Sequence, residues 1–400
     1  MVDVLPRHLN GHYGMCSSDH LVSNASRDFV KKVFYIAGEA SGDIYGGLIA
    51  REMLSLSRLS NIGRIEMRGW GGDQMTDAGV EVTTHYRELA YMGVWEVVSN
   101  LSTILGNLKK CWEEIEAFKP DAIVLVDFPG FNMRIARKAA NAKWGDVKIF
   151  QVVAPQVWAW KKGRIKNLAR NYTAVFPVLP FEHKLLSAGG VQSIYCGHPL
   201  LDALTTNQDE IPHAPTKPIL ALLPGSRKQE LNKMLPVLLE VAKRFPDMEA
   251  VIAGAPGAAE SLYNRAREAG VKVVFGQTRD LLKSAEFAVI TSGTATLEAA
   301  LLNTPHVLVY KTSALTYAIA KLLVNVKFIG LTNLILNREV VPELIQGRCT
   351  SGNISKEIQC LETSKQSQAF AELRTSLGHR GASERIAHKM LEVISVHHTS

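Results

Sequence analysis

The sequence predicts an α/β protein of two doubly wound, Rossmann-like lobes that face each other across a cleft. Three observations lead there. From Lys32 onward, apolar runs of strand length alternate with helical patterns, the signature of a parallel sheet wrapped by helices. The alternation lapses in the polar stretch LTTNQDEIPHAPTKP, which holds three prolines, and then resumes, so a linker joins two lobes. The residues with chemical promise stand at the carboxyl ends of apolar runs, where such sheets bind ligands.

In chain order, KKVFYIAG reads as the first strand, followed by a helix from about Asp43 to Leu56. IEMRGWGG precedes a short helix from Met75 to Gly79, and DAIVLVDFPG precedes a helix from Asn132 to Ala142. VKIFQVVAP, TAVFPVLP and SIYCGHP complete the strands of the first lobe. In the second, ILALLPGSR leads into a helix from about Gln229 to Arg244. MEAVIAGAPG, VKVVFGQ, the helix DLLKSA, the strand FAVIT and the helix TATLEAALL follow. SLGHRGASERIAHKMLEVISV reads as a terminal helix that crosses back onto the first lobe. The expected units are a mobile extension over 1–31, lobes over 32–203 and 204–375, and a C-terminal helix over 376–400.

Composition narrows the class. A chain of 400 residues with 46% hydrophobic and 21% charged residues can bury two cores, which excludes an intrinsically disordered protein. No apolar run approaches the roughly 18–20 residues needed to span a bilayer. The cysteines (Cys16, Cys111, Cys196, Cys349, Cys360) are scattered with no CxxC pair, which argues for a reducing compartment and against a zinc site. The first thirty residues lack the apolar core of a secretory signal, and Asp3, Asp19 and Asp28 argue against a transit peptide.

The net charge of +7 is uneven: between Phe131 and Arg170 ten basic residues face one acidic residue, Asp146. That run implies an anionic partner (phosphate, a lipid surface or nucleic acid), with a solvated basic face as the plain alternative.

Chemistry concentrates at four places. AGEASGDIYGG lacks GxGxxG spacing, which disfavours a nicotinamide cofactor. There Ser41, Gly42 and Asp43 turn into a helix N-terminus that could hold a substrate hydroxyl or phosphate; a plain helix cap is the alternative. The strand AIVLV delivers Asp127 into the bend FPGFN, flanked by Asn132, the position of a general base facing a cleft; the alternative is that Asp127 caps the following helix, a role Asn132 could take instead. LLPGSRKQE places Arg227 at the opening strand of the second lobe, where it could neutralise a diphosphate without a DxD-bound metal. FAVITSGTATLEAALL offers Ser292, Gly293 and Thr294 at a helix N-terminus for a phosphate, and a free Glu298 carboxylate for sugar hydroxyls, with a plain helix cap at Ser292 or Thr294 as the alternative.

Two segments suit a lipid surface. LAYMGVWEVVSNLSTILGNLKK carries Met92, Val94, Val97, Leu101, Ile104, Leu105 and Leu108 at helical spacing, a stripe that is either core or an interfacial face. VWAWKKGRIKNLAR joins Trp158 and Trp160 to Lys161, Lys162 and Arg164, a mix that favours anionic headgroups. His198 in CGHPLLD is either a hinge residue or a ligand-facing one.

With these residues collected, the sequence closely resembles the lipid-A-disaccharide synthase family. The matching motifs are AGEASGD, WGG, LAYMGVWEV, DFPGFN, APQVWAWKKGRIK, LPFE, GHPLLD, LLPGSRKQE, SGTATLEAALL and LTNLILNREVVPELIQ, together spanning Lys32 to Gln346. The resemblance implies a GT-B glycosyltransferase with an acceptor-binding, membrane-facing first lobe and a UDP-sugar-binding second lobe. It implies an inverting reaction that joins UDP-2,3-diacylglucosamine to 2,3-diacylglucosamine 1-phosphate and releases UDP, without cofactor or metal. Asp127 matches the essential aspartate, Arg227 the arginine near the diphosphate, and Thr296 and Glu298 the phosphate and ribose contacts of GT-B enzymes. Asn333 and Glu339 fall where the family closes the donor site. Two departures, Gly130 within DFPGFN and APQVWAW for SPSVWAW, put a supporting contact in doubt. The expected partners are the two sugar substrates, the inner membrane face (met peripherally from the cytoplasm) and a second copy of the chain as a homodimer, with no nucleic acid. The competing readings are a UDP-N-acetylglucosamine epimerase, another lipid-linked GT-B transferase and a non-catalytic lipid or nucleic-acid binder.

Overall fold

The computed structural model describes residues 30–59, 63–89, 101–142, 145–159, 163–204, 217–313, 317 and 326–395. The first lobe contains β1 (Val30–Ala37), α1 (Ala40–Leu59), β2 (Arg64–Gly71), α2 (Asp73–Asp77), β3 (Glu81–His85), α3 (Tyr86–Leu89) and α4 (Leu101–Phe118). It continues with β4 (Ala122–Val126), α5 (Pro129–Ala140), β5 (Lys148–Val152), α6 (Arg164–Asn171), β6 (Ala174–Phe176), α7 (Pro180–Ala188) and α8 (Leu200–Ala203). Its six strands are all parallel, in the order β3-β2-β1-β4-β5-β6. β4 is buried along its whole length and β1 over its last five residues, as strands covered by helices on both faces must be.

The second lobe contains β7 (Ile219–Leu223), α9 (Lys228–Ala242), β8 (Glu249–Gly254), α10 (Asn264–Glu268), β9 (Lys272–Phe275), α11 (Thr278–Ser284), β10 (Ala285–Thr291) and α12 (Thr294–Leu301). After it come β11 (His306–Tyr310), α13 (Leu331–Leu336), β12 (Glu343–Ile345), α14 (Ser351–Gln359), α15 (Thr363–Leu377) and α16 (Ala382–Ser395). The order β12-β11-β10-β7-β8-β9 repeats the topology of the first sheet strand for strand, again with every pair parallel. In each sheet the strand order reverses at one place, between β1 and β4 and between β7 and β10. A doubly wound sheet opens its binding crevice there.

Register sets what meets at those places. Ala37 pairs with Val126, so Gly38 and Asp127 leave the first sheet side by side. Leu223 pairs with Ile290, so the Gly225 loop and the Ser292 loop leave the second sheet together.

Helix α16 lies on α1 and α8. Its inward residues Ile386, Ala387, Met390, Leu391 and Ile394 join a single apolar core with α1, α12 and α15. Asp202 fastens its start, accepting from Gly381 N (2.6 Å) and Ser383 N (2.8 Å). The Arg385 guanidinium donates to Cys196 O at 2.9 and 3.0 Å. The second lobe is thus strapped to the first through the terminal helix.

Several expected elements shift. SIYCGHP is no strand; it touches the sheet through one bridge, Ser193 to Val175, before turning at Gly197. β3 and β12 form without a marked apolar run, because each is a short edge strand that needs only one covered flank. α1 begins at Ala40 rather than Asp43, and α5 at Pro129, where a proline is suited to the first helical turn. Among the described residues no helix is long and apolar enough to cross a membrane.

Candidate active site

Asp127 follows β4 in left-handed backbone, φ 49°, and Phe128 repeats it at 52°. Val153, beyond the neighbouring strand, is left-handed as well at 62°. Strain of this kind costs on the order of 1–3 kcal/mol per residue and persists only where the surroundings impose it. Here the restraints are visible. Asn132 Nδ2 donates to Asp127 O at 2.7 Å, and Gln151 Nε2 reaches Asp127 O (3.2 Å), Val152 O (3.1 Å) and Val153 O (3.0 Å). The Phe128 ring lies over Gly38, where a Cβ would come within 2.5 Å of it, so only glycine fits under this turn. Asn132 is fully buried; its Nδ2 holds the Asp127 backbone, while its Oδ1 accepts no hydrogen bond among the described residues.

The Asp127 carboxyl is half-buried, and its pKa is pushed up to about 6. Burial is the chief cause, with the Glu39 carboxylate adding to it; the Phe128 N–H and the Arg227 guanidinium pull the other way. A carboxylate poised just below neutrality is mostly ionised at pH 7 yet still basic enough to take a proton.

Arg227 comes from the second lobe. It precedes α9, and its Nη2 stands 3.2 Å from Glu39 Oε1, across the cleft from its own sheet. Glu230 fixes its backbone, accepting from Ser226 N (3.2 Å) and Arg227 N (3.3 Å). Gly225, at φ 103°, leaves room for that carboxylate, since a Cβ would lie 2.6 Å from Glu230 Oε2. Those two amides are occupied by Glu230, so the anion-facing group of this loop is the guanidinium.

Beside it, Ser292 N donates to Val309 O (3.0 Å), Gly293 is exposed, and Thr294 opens α12. No side chain caps α12, which leaves its first amides pointing out of the helix end. Glu298 is not the free carboxylate the sequence suggested: Arg279 Nε donates to its Oε1 at 2.6 Å. Thr296 is buried and its hydroxyl donates to Gly293 O (2.8 Å), so it shapes the loop from inside.

Other expectations are also redirected. The Asp43 carboxylate is buried and accepts from Gly72 N (2.8 Å), Gln74 N (3.1 Å) and Met75 N (3.1 Å). It caps α2, so it is a cap after all, for a helix other than its own. Gly42 is buried with Ala37 and Val126 O close by, which leaves half-buried Ser41 as the one member of that trio that is not buried. Asn333 is fully buried: its amide donates to Val341 O (2.8 Å) and Glu343 Oε1 (2.9 Å) and accepts from Val340 N and Val341 N. It braces the turn that carries exposed Glu339. His198 is buried against the Tyr45 ring, takes the Leu200 N–H, and has its pKa pushed down to about 4 by burial, so it remains neutral packing.

On the surface, Leu105 is 57% exposed while Ile104 is buried, so the α4 stripe is not wholly core. Met92, Val94, Val97, the side chain of Leu101, Trp160, Lys161 and Lys162 lie outside the described residues. Arg164 is half-buried at the start of α6. Trp158 is half-buried: its indole N–H donates to Glu182 Oε1 at 2.9 Å, and its ring packs edge-on against Phe181.

The sequence profile of the family described as Lipid-A-disaccharide synthetase matches residues 33–395. The chain belongs to this family. It is 35% identical to the lipid-A-disaccharide synthase of Syntrophus aciditrophicus over 91% of this chain and 98% of that one. It is likewise 35% identical to that of Myxococcus xanthus, covering 91% and 97%. Membership makes it a glycosyltransferase of lipid A biosynthesis. Solved structures share the fold at low identity. A UDP-GlcNAc 2-epimerase from Neisseria meningitidis, bound to UDP-GlcNAc, superposes with TM-score 0.59 at 14% identity, covering 91% and 99%. The calicheamicin glycosyltransferase CalG4 gives 0.52 at 14%, covering 92% and 99%. The two lobes are those of the GT-B architecture.

Proposed function

We propose that this chain transfers the sugar of UDP-2,3-diacylglucosamine to the 6-hydroxyl of 2,3-diacylglucosamine 1-phosphate, inverting the anomeric carbon. The observation that carries the reading is that Asp127 leaves the first sheet beside Gly38 while Arg227 of the second lobe reaches Glu39 at 3.2 Å, with its guanidinium drawing the Asp127 pKa down. Asp127 takes the hydroxyl proton as O6 attacks the anomeric carbon. The bond from that carbon to the diphosphate breaks, and UDP departs with the electron pair. Arg227 and the uncapped end of α12 offset the charge that builds on the leaving phosphate. UDP needs no protonation to leave, so one base suffices, and a single in-line displacement inverts the centre.

The acceptor lobe is suited to a peripheral lipid surface. Helices α5 and α6 pack together with Phe131, Ile135, Ala139 and Leu168 inward. Their outward residues Arg134, Arg137, Lys138, Lys166 and Arg170 are exposed, and neither helix holds an acidic residue. Such a face attracts anionic headgroups within a Debye length.

The test is mass spectrometry of the product made from both acylated precursors. The expected outcome is a β-1,6-linked disaccharide 1-phosphate with one UDP per transfer, undiminished by a chelator. UDP release without disaccharide, or an epimerised sugar, overturns the reading.

A further inference from the structure

Arg279 lies outside the family motifs, yet three parts of the molecule meet on it. It lies in the first turn of α11. Its Nε donates to Glu298 Oε1 at 2.6 Å and its Nη1 to Ala203 O at 2.7 Å. Glu298 lies on α12, the helix whose open end faces the crevice. Ala203 is the last residue of α8, which among the described residues is the first-lobe helix that precedes β7 of the second lobe. The pair is mostly covered, with the Arg279 and Glu298 side chains 22% and 15% exposed.

A guanidinium presents planar donors in several directions, so one side chain can hold a carboxylate on one edge and a carbonyl on another. Only Oε1 of Glu298 is taken; Oε2 accepts no hydrogen bond among the described residues. The Tyr45 phenol of the first lobe feels the charges of Glu298, Asp127 and Arg279 together, which places this cluster where the lobes and the catalytic carboxylate converge.

We propose that Arg279 is a positioning residue for the nucleotide-sugar. It holds Glu298 with one oxygen turned to the ribose hydroxyls and, through Ala203, sets the donor lobe at the orientation in which Asp127 faces the anomeric carbon. This rests on reading Glu298 as the ribose-facing residue of a UDP-sugar site.

Two variants separate the two edges. Arg279→Gln loses the ion pair, and UDP affinity by calorimetry should fall about tenfold, the loss of one charged hydrogen bond, with no further fall when Glu298→Gln is added. Arg279→Lys keeps a cation beside Glu298 but cannot also span to Ala203. Its UDP affinity should stay within about twofold of the parent while kcat at saturating donor drops several-fold, a split that a purely structural role would not give. Unchanged UDP affinity in Arg279→Gln, or losses that multiply in the double variant, overturns the proposal. UDP calorimetry needs no acceptor, so a chain that binds UDP but forms no disaccharide would sink the transferase reading and leave Arg279 still measurable. A parent chain that binds no UDP would overturn both.

Discussion

Arg227 and Glu39 join the two lobes across the cleft, Nη2 to Oε1 at 3.2 Å, each side chain more than half exposed (59% and 51%). A pair so open to water contributes about 1 kcal/mol or less. A diphosphate carries more charge than one carboxylate and can take the guanidinium on two oxygens, so under the proposed function the donor would displace Glu39 with little resistance. Glu39→Gln should therefore tighten UDP, by about fivefold at most, in calorimetry at low salt. Weaker binding would make Glu39 a donor ligand rather than a competitor. Arg227→Ala should weaken UDP by about 10- to 100-fold, as loss of a charged hydrogen bond does.

Asp127→Asn should lower turnover by about 10²- to 10⁴-fold, the usual contribution of a positioned base, with UDP affinity retained. In the parent chain kcat/KM should fall tenfold per unit below about pH 6, as the carboxylate is protonated. Stability moves the opposite way. The folded pKa lies above the ordinary 3.8, so folding favours the protonated carboxyl: the associated stability is fully present below pH 3.8 and is lost as pH rises through about 6. At pH 7.5 the ionised group then costs about 3 kcal/mol. Asparagine carries no charge and accepts the left-handed φ of 49°. The variant should melt higher than the parent at pH 7.5 and no higher below pH 4; equal melting at both would remove the burial argument.

Asp43→Ala should destabilise the first lobe by about 2–3 kcal/mol, because it strands three amides, those of Gly72, Gln74 and Met75, that a buried carboxylate now accepts. Thermal unfolding should show the loss, while the KM values of the protein that remains folded stay near those of the parent. A KM shift for the acceptor without a stability change would restore Asp43 as a ligand.

These variants trace what the sequence could and could not reveal. β4 was legible because five buried apolar residues have one stable arrangement, and Asp127 because it ends them. The partners of Asp43 were not, since they lie a full crossover away and meet it only once β1 and β2 are paired. Asn333 is placed at the donor site by the family resemblance of LTNLILNRE, and nothing in the local sequence announces its internal partners. Its partners Val340, Val341 and Glu343 exist only after α13 folds back along β12. Arg279 was invisible for the same reason: Glu298 lies 19 residues ahead of it and Ala203 76 behind. Polar residues with distant backbone partners read like site residues until the chain has turned.

Trp158 provides the sharpest contrast between a surface role and an internal one. Its indole N–H, with the backbone N–H groups of Leu179 and Val178, stabilises the Glu182 carboxylate, whose pKa burial still pushes up to about 7. The raised value means that folding prefers protonated Glu182, so its stability contribution is fully present below the ordinary value of 4.5 and is lost as pH rises through about 7. Trp158→Phe keeps the ring and removes one donor from the charged form. At pH 5 Glu182 is mostly protonated and the variant should melt close to the parent. At pH 8 the carboxylate is ionised with one partner fewer, and the variant should be weaker by about 1–3 kcal/mol. Melting curves at the two pH values decide the matter, with vesicle co-sedimentation alongside. A substitution that left the melting gap the same at pH 5 and pH 8 but reduced binding to anionic vesicles would return Trp158 to the lipid surface.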